Sequence, residues 1–352
     1  MTDRQPEVTA TEAHAASFPL IFDIRSHASS TPTLPRATIV STDDLINHPA
    51  RFVGSVDDPV LIICDIGVRS RVLTDQLRTM GYGGAVSLEG GIESWTAAGF
   101  PTVVPEGLTA DAFRRYDRQI KLPGLGVPGQ QALMAARVAV VGAGGLGAPV
   151  LAYLAGAGVG RLTIIDSDSV EVSNLHRQPI FRSDEVGVSK AAAAAAFVSA
   201  LNPDISAEPQ AVRLSAESAV DLLEGHDIVV TCTDSLEATR AINAAAVNLR
   251  IPMVFGSVYR FEGQIAVLDA RDGPCYDCVF PAGVDEGALD CSIVGVLGSV
   301  TGVVGAMQAT EVIKLITGIG ETSSGRLALY DARTRSLDSL RIRKNAACDT
   351  CG

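Results

Sequence analysis

The sequence predicts an α/β protein of two domains, on three observations. Apolar runs of about five residues alternate with helix-length segments, the order that builds helix-covered sheets. A chain of 352 residues exceeds the usual single domain. A connector bearing Pro101, Pro105 and Gly107 interrupts the pattern near residue 101. In the first block, strands are expected at Leu20–Ile24, Val60–Cys64 and Ala85–Leu88, with helices at Ser70–Met80 and Gly91–Ala98. The second block opens with a charged helix, Ala110–Gln119. Strand Arg137–Val141, helix Leu146–Ala157 and strand Leu162–Ile165 then make a β-α-β unit with Asp166 at its end. A further helix opens at Ala191–Ala196, and strands follow at Asp227–Cys232, Pro252–Phe255, Gln264–Leu268 and Arg326–Tyr330. Strands this apolar suit parallel sheets covered on both faces.

Composition narrows the function. With 47% hydrophobic residues the chain can bury real cores, which excludes disorder as its main character. Twenty-eight basic against 40 acidic residues give −12, so neither nucleic acid nor an anionic membrane surface is an expected partner. The segment Ser292–Thr310 carries no charge and approaches membrane-span length. Gly295, Gly298, Gly302 and Gly305 inside it, and Glu311 and Lys314 after it, assign it instead to a buried loop and core helix. The polar N-terminus has no apolar segment behind a basic start, and seven cysteines in so long a chain are no secreted disulfide scaffold, so a reducing cytoplasm is expected. Lysine is scarce, at four positions, which singles out each one.

Gly142-Ala143-Gly144-Gly145-Leu146-Gly147 follows a strand and opens a helix, the setting in which G-x-G-x-x-G lets backbone N–H groups face a phosphate. Asp166, nineteen residues after Gly147, stands where an acid can accept hydrogen bonds from a ribose. This much fits an NAD-dependent dehydrogenase as well as an ATP enzyme. The next run, Asp166-Ser-Asp168-Ser-Val-Glu-Val-Ser173-Asn174-Leu175-His176-Arg177-Gln178, resembles the MoeB/ThiF adenylyltransferases, relatives of ubiquitin-activating enzymes. The resemblance continues in Arg115-Tyr116-Asp117-Arg118-Gln119, Gly187-x-x-Lys190, Thr233-Asp234-Ser235, Phe261-Glu262-Gly263-Gln264 and Gly273-Pro274-Cys275-Tyr276-Asp277-Cys278, across residues 112 to 352. It implies adenylation of the C-terminal glycine of a ubiquitin-like sulfur carrier ending in Gly-Gly, with MgATP consumed and pyrophosphate released. The same resemblance implies the roles. Gly145 and the Ser173–Arg177 run contact the nucleotide, Asp166 the ribose, Arg177 and Lys190 the phosphates, and Asp234 with Ser235 the Mg²⁺ side. Arg118 reaches the ATP of a neighbouring subunit, which makes a homodimer. A base role for His176 is not expected, because a lone histidine more often packs or hydrogen-bonds.

Cys275-x-x-Cys278 and Cys348-x-x-Cys351 are two thiolate pairs able to complete a tetrahedral Zn²⁺ site with Zn–S distances of about 2.3 Å. Sixty-nine residues separate them, so the metal would staple the chain's end to its domain. A redox C-x-x-C is the alternative for either pair alone. Cys291 matches a family cysteine that in relatives forms a thioester or acyl disulfide with the carrier, and Cys232 reads as core packing. Cys64 ends an apolar strand and begins Cys64-Asp65-Ile66-Gly67-Val68-Arg69-Ser70 before a helix. With Phe22-Asp23-Ile24-Arg25, Met80-Gly81-Tyr82 and Leu88-Glu89-Gly90-Gly91-Ile92-Glu93-Ser94-Trp95, this resembles rhodanese-like sulfurtransferases over residues 17 to 104. A loop curling round a sulfur at a helix N-terminus favours the thiolate, with Arg69 adding positive charge nearby. Cys64 is then the persulfide carrier. Asp65 disfavours thiosulfate and points to a protein persulfide donor, such as a cysteine desulfurase.

The joined expectation is a small rhodanese-like α/β domain, residues 1–104, followed by a Rossmann-like ThiF/MoeB adenylyltransferase domain, residues 105–352, with a structural zinc site. Adenylation and sulfur transfer together would yield a carrier thiocarboxylate for molybdopterin, thiamine or cysteine biosynthesis or tRNA thiolation. The rivals are a rhodanese-like unit that only docks a partner, and an oxidoreductase using the glycine loop for NAD.

Overall fold

The structure, a computed structural model, describes residues 6–16, 18–26, 28, 31–103, 108–281 and 295–352. It divides into two compact units, Met1–Val127 and Pro128–Gly352.

The first unit holds a five-stranded sheet of β1 (Glu7–Val8), β2 (Leu20–Asp23), β3 (Thr38–Ile39), β4 (Val60–Ile63) and β5 (Ala85–Leu88), in the order β1-β5-β4-β2-β3 and parallel throughout. Its helices are α1 (Ala10–Ala16), α2 (Thr42–Asn47), α3 (Val68–Thr79), α4 (Gly91–Ala97) and α5 (Ala110–Ile120). The strand period of two sends alternate residues of β4 to opposite faces. Val60, Ile62 and the following Cys64 join Leu45 of α2 and Leu73 and Leu77 of α3. Leu61 and Ile63 join Ala10 and Ala13 of α1 and Ile92 and Trp95 of α4. That alternation puts Cys64 on the α3 side. Thr109 caps α5 by accepting the Ala112 N–H, and Ala112, Phe113, Tyr116 and Ile120 form its buried stripe.

The helix α6 (Gly126–Ala135) spans the division. The second unit's sheet comprises β6 (Arg137–Val141), β7 (Arg161–Ile165), β8 (Ser206–Gln210), β9 (Ile228–Thr231), β10 (Met253–Tyr259), β11 (Glu262–Leu268), β12 (Arg326–Asp331) and β13 (Ser336–Arg341). Their order is β13-β12-β11-β10-β9-β6-β7-β8. The pairings from β8 through β10 are parallel, while those from β10 through β13 are antiparallel. The expected parallel sheet is therefore mixed. The reason is local: only Arg260 and Phe261 connect β10 to β11, and so short a link can join only antiparallel strands. The edge strands β8 and β13 escape the sequence pattern because polar residues dominate Ser-Ala-Glu-Pro-Gln and Ser-Leu-Asp-Ser-Leu-Arg.

Helices α7 (Gly147–Ala157), α8 (Lys190–Leu201), α9 (Ala219–Leu223), α10 (Leu236–Leu249), α11 (Tyr276–Val279) and α12 (Gly298–Thr317) complete the unit. Leu151 and Leu154 of α7 are fully buried, each contributing about 1.5–3 kcal/mol of burial free energy. The long α12 lies against α7 and the β10–β11 pair, and it meets α7 at Gly305, where a Cβ would stand 2.4 Å from Pro149 Cγ. Residues 298–310 of the uncharged segment thus form core helix, while Ser292 to 294 lie outside the described residues. Among the described residues no helix is long and apolar enough to cross a membrane.

Candidate functional site

Cys64 follows β4 directly and is 1% exposed, while Ile66 and Val68 of the same loop are exposed. The loop closes on itself by backbone contact. Ile92 N–H donates to Cys64 O at 2.9 Å and Glu93 N–H to Asp65 O at 3.2 Å, so the start of α4 caps it. Gly91, at φ +60°, makes this approach possible, since a Cβ there would lie 2.4 Å from Cys64 O. Ser70, in the first turn of α3, donates its N–H to Cys64 Sγ at 3.3 Å, the dipole-favoured end of a helix facing the sulfur. Arg69 does not present a free charge to that sulfur as expected: its guanidinium is paired with Asp65 at 2.8 Å. The two loop charges, four residues apart, compensate each other.

In the second unit the glycine loop joins β6 to α7. Gly142 holds φ +95°, and a Cβ on it would lie 2.5 Å from Cys232 O, so the loop packs against the end of β9. The chain leaves β6 toward β7 on one side and reaches β9 on the other, and the order reverses between β6 and β9. Ligands of open α/β sheets bind in the crevice at such a point. Asp166 pins the loop: one carboxylate oxygen accepts the Ala143 N–H at 2.7 Å and the other the Asp168 N–H at 2.8 Å. Burial raises its pKa above the ordinary carboxylate value, against the lowering effect of those N–H groups and of Lys190. Each oxygen retains a lone pair for a further donor.

Lys190 is buried, unlike a solvated lysine, and its Nζ meets the exposed carboxylate of Asp168 at 2.8 Å. It is also the first residue of α8, where the helix dipole disfavours a cation. Arg177 turns its guanidinium onto Ser173 O at 2.9 Å, with His176 Nε2 at 3.0 Å, so His176 is engaged beside Arg177. Asn174 and Gln178 are buried, and Asn174 Oδ1 and Gln178 Oε1 have no partner among the described residues. Gln178 lies against Gly144, and Thr301 of α12 against Gly145. Ser173 is exposed and Leu175 half-buried. Asp234 is exposed beyond β9, and Ser235 caps α10 by accepting the Ala238 N–H. The structure thus gathers Ala143, Asp166, Asp168 and Lys190 into one chain of contacts, whereas Cys64 and Arg118 belong to the first unit. Arg118 is exposed on α5, and Cys291 lies outside the described residues.

The four paired cysteines converge. Cys275 and Cys278 sulfurs are 3.8 Å apart, Cys275 and Cys348 3.6 Å, Cys278 and Cys351 3.5 Å, and all four lie within 4.8 Å of one another. Four thiolates about 2.3 Å from a tetrahedral Zn²⁺ stand about 3.8 Å apart, so the cluster fits that ion. Burial opposes ionisation of Cys348, but N–H groups of Thr350 and Cys351 together with the Cys275 and Cys278 thiols outweigh it and hold its pKa at about 7. Burial pushes the Cys275 and Cys351 thiols up. Around them, Asp277 accepts from Asn243 at 2.9 Å and Thr350 at 2.7 Å and is paired with Arg240, tying both cysteine segments to α10. Cys232 is buried, with its thiol pKa pushed up by burial, a core residue.

Sequence reasoning missed four contributors. Asp168 and Gln178 stand inside the quoted motif, and the signal there was their adjacency. Thr301 and Ser87, which touches Ser70 beneath Cys64, are reached only by tertiary folding.

Residues 116–350 match the ThiF family and residues 8–98 the rhodanese-like domain. The chain is similar to the sulfur carrier protein adenylyltransferase of Thermus thermophilus, 45% identical over 250 residues covering 69% of this chain and 92% of that one. It is also similar to the molybdopterin-synthase adenylyltransferase of Salmonella typhimurium, at 41% identity over 68% and 96% of the two chains. The adenylyltransferase and sulfurtransferase MOCS3 of Anopheles gambiae is 44% identical over 69% of this chain and 56% of its own. The fold matches the crystal structure of E. coli MccB with AMPCPP and MccA at a TM-score of 0.62, with 23% identity over 71% of this chain and 77% of that one. The chain therefore belongs to the ThiF family and carries an amino-terminal rhodanese-like domain.

Proposed function

We propose that the chain adenylates the C-terminal glycine of a ubiquitin-like sulfur carrier and then loads it with sulfur. One observation carries the reading: a buried lysine at a helix start, held by an exposed carboxylate, at the end of a contact chain that begins on the glycine loop. A buried cation in that position is costly unless it serves an anion. A triphosphate entering the crevice takes the place of Asp168 on Lys190, with Arg177 swinging to the same phosphates. Asn174 and Gln178 offer two acceptors, unpaired among the described residues, to the hydroxyl and amino donors of an adenosine, and Asp166 offers its remaining lone pairs to the ribose. The exposed Asp234, beside Ser235, would hold Mg²⁺, which supplies charge neutralisation when bound. A dehydrogenase gives no use to Lys190, Arg177 and Asp234 together.

The carrier carboxylate attacks the α-phosphorus and pyrophosphate leaves, converting a poor leaving group into AMP. The outer sulfur of a Cys64 persulfide, loaded by a protein persulfide donor such as a cysteine desulfurase, then attacks the acyl carbon and AMP departs. Cleavage of the resulting acyl disulfide by a second thiol leaves the thiocarboxylate, and Cys291 is the chain's own candidate for a thiol at the carrier terminus. Arg118 completes the nucleotide site of a second copy, which makes the working unit a homodimer. Residues 1–104 handle sulfur and 105–352 adenylate. The four clustered cysteines hold structural Zn²⁺, a reading supported by their separations. Thiols kept reduced for that ion suit the cytoplasm.

The test incubates carriers ending in Gly-Gly with this protein, MgATP and a persulfide donor, and reads carrier mass. The expected result is replacement of one carrier oxygen by sulfur, lost in Cys64→Ser while pyrophosphate exchange continues. Thiocarboxylate formed undiminished by Cys64→Ser would reduce the first unit to a docking module.

A further inference from the structure

Two buried hydroxyls beneath the sulfur of Cys64 have no part in the chemistry above. Ser70 and Ser87 are each 0% exposed, and their Oγ atoms are 2.8 Å apart. Ser70 Oγ has two further neighbours, Gly67 O at 3.0 Å and Cys64 Sγ at 3.3 Å. We propose that Ser70 is a two-position hydroxyl that follows the protonation of Cys64, and that Ser87 is the positioning residue that holds it in play.

Counting protons gives the two positions. A serine hydroxyl has one proton and two lone pairs. With Cys64 as a thiol, S–H and the Ser87 O–H both donate to Ser70 Oγ, and Ser70 donates to Gly67 O. Every group is matched. When the thiol proton leaves to water, or when Sγ carries a second sulfur, Sγ has nothing to donate. The Ser70 O–H then turns onto it. Gly67 O is not orphaned by the turn, because the Arg71 N–H donates to it at 3.0 Å. The Ser70 N–H, 3.3 Å from Sγ, serves the sulfur in both states. Ser87 keeps donating to Ser70 Oγ throughout, so one lone pair is always occupied and the proton has two places to go. A hydrogen bond to a charged acceptor is worth about twice a neutral one, which makes the turned position the stronger. This matters here because Arg69, the loop's own cation, is taken by Asp65.

The inference rests on Cys64 as the sulfur-bearing residue, but its test does not require sulfur transfer. In the full chain, the rate of Cys64 alkylation by iodoacetamide is followed at one neutral pH by mass spectrometry of the Cys64 peptide. Ser70→Ala is expected to slow it about tenfold and Ser87→Ala about threefold. Ser70→Thr, which keeps the hydroxyl, restores the rate to within about twofold of the parent. The decisive variant is the pair: Ser70→Ala with Ser87→Ala reacts no slower than Ser70→Ala alone, because Ser87 acts through Ser70. Ser87→Cys, similar in shape but a poor donor, gives a second measure should Ser87→Ala unfold, and it slows the reaction in the same direction. An unchanged rate in both Ser87 variants, or an effect that adds in full to that of Ser70→Ala, overturns the proposal. A chain that shows the coupling yet makes no thiocarboxylate supports this inference and refutes the proposed function.

Discussion

The Cys64 loop and the glycine loop are built alike and left in opposite states. Each follows a parallel strand, turns on glycines and ends at a helix start, so each aims backbone N–H groups at one place. In the first unit that place is filled by a covalently attached sulfur, 1% exposed, under a loop clamped by Gly91. In the second it is the point where the strand order reverses, beside two buried acceptors with no partner among the described residues. The cations differ in the same way. Arg69 and Asp65 are an exposed pair four residues apart, of a type worth little to stability. Lys190 is 8% exposed at its side chain against 66% for Asp168, a buried cation with an exposed counter-ion. On the proposed function the same backbone device serves a resident atom in one unit and a visiting anion in the other, according to what the neighbouring side chains fill.

The largest effect should come from the buried cation. Lys190→Ala is expected to lower pyrophosphate exchange by on the order of a hundred- to a thousandfold, the usual loss on removing one preorganised charge donor. An Arg69→Ala control should leave exchange unchanged. Equal losses in the two would erase the distinction between the loops.

The glycines sharpen it next. Gly91→Ala puts a Cβ 2.4 Å from Cys64 O at φ +60°, against backbone that cannot give way. It should cost about 1–3 kcal/mol in the melting of the first unit. In Gly144→Ala the nearest atom, Gln178 Nε2, is 3.5 Å from the new Cβ, an ordinary contact. Melting should then hold within about 0.5 kcal/mol while ATP affinity falls, because the methyl stands in the phosphate space. A Gly144→Ala chain that melts early and binds ATP normally would show the crevice to be packing and not a site.

A third effect separates the units by the cysteine cluster. The cysteine cluster lies wholly in the second unit, so chelator treatment or Cys348→Ser should lower that unit's melting temperature by about 2–4 °C for each kcal/mol of metal stabilisation lost. The first unit's transition should stay in place. Metal analysis of the purified chain, showing one Zn²⁺ that Cys348→Ser removes, checks the cause.

Both loops were legible in the sequence because their demands are local. Gly142 and Gly91 hold positive φ, a local demand for glycine, and a strand before and a helix after are visible in a few residues. The edge strands β8 and β13 were not legible, since neither has an apolar face and each exists only because a neighbour offers its edge. Asp168 was visible as a letter and not as a partner, because only the fold brings it 2.8 Å from Lys190.

By itself the sequence determined the apolar central strands and the helices beside the two sites, the two glycine turns and the residue types at the sites, all set within about a dozen residues by periodicity and steric rules. Tertiary structure alone decided that the polar segments β8 and β13 become the edge strands of the second sheet. It also decided that Lys190 is buried, that cysteines seventy residues apart share one corner, and that Ser87 lies under Ser70. Each of these depends on which distant segment arrives beside a side chain, and burial and pairing, unlike backbone conformation, are properties of that encounter.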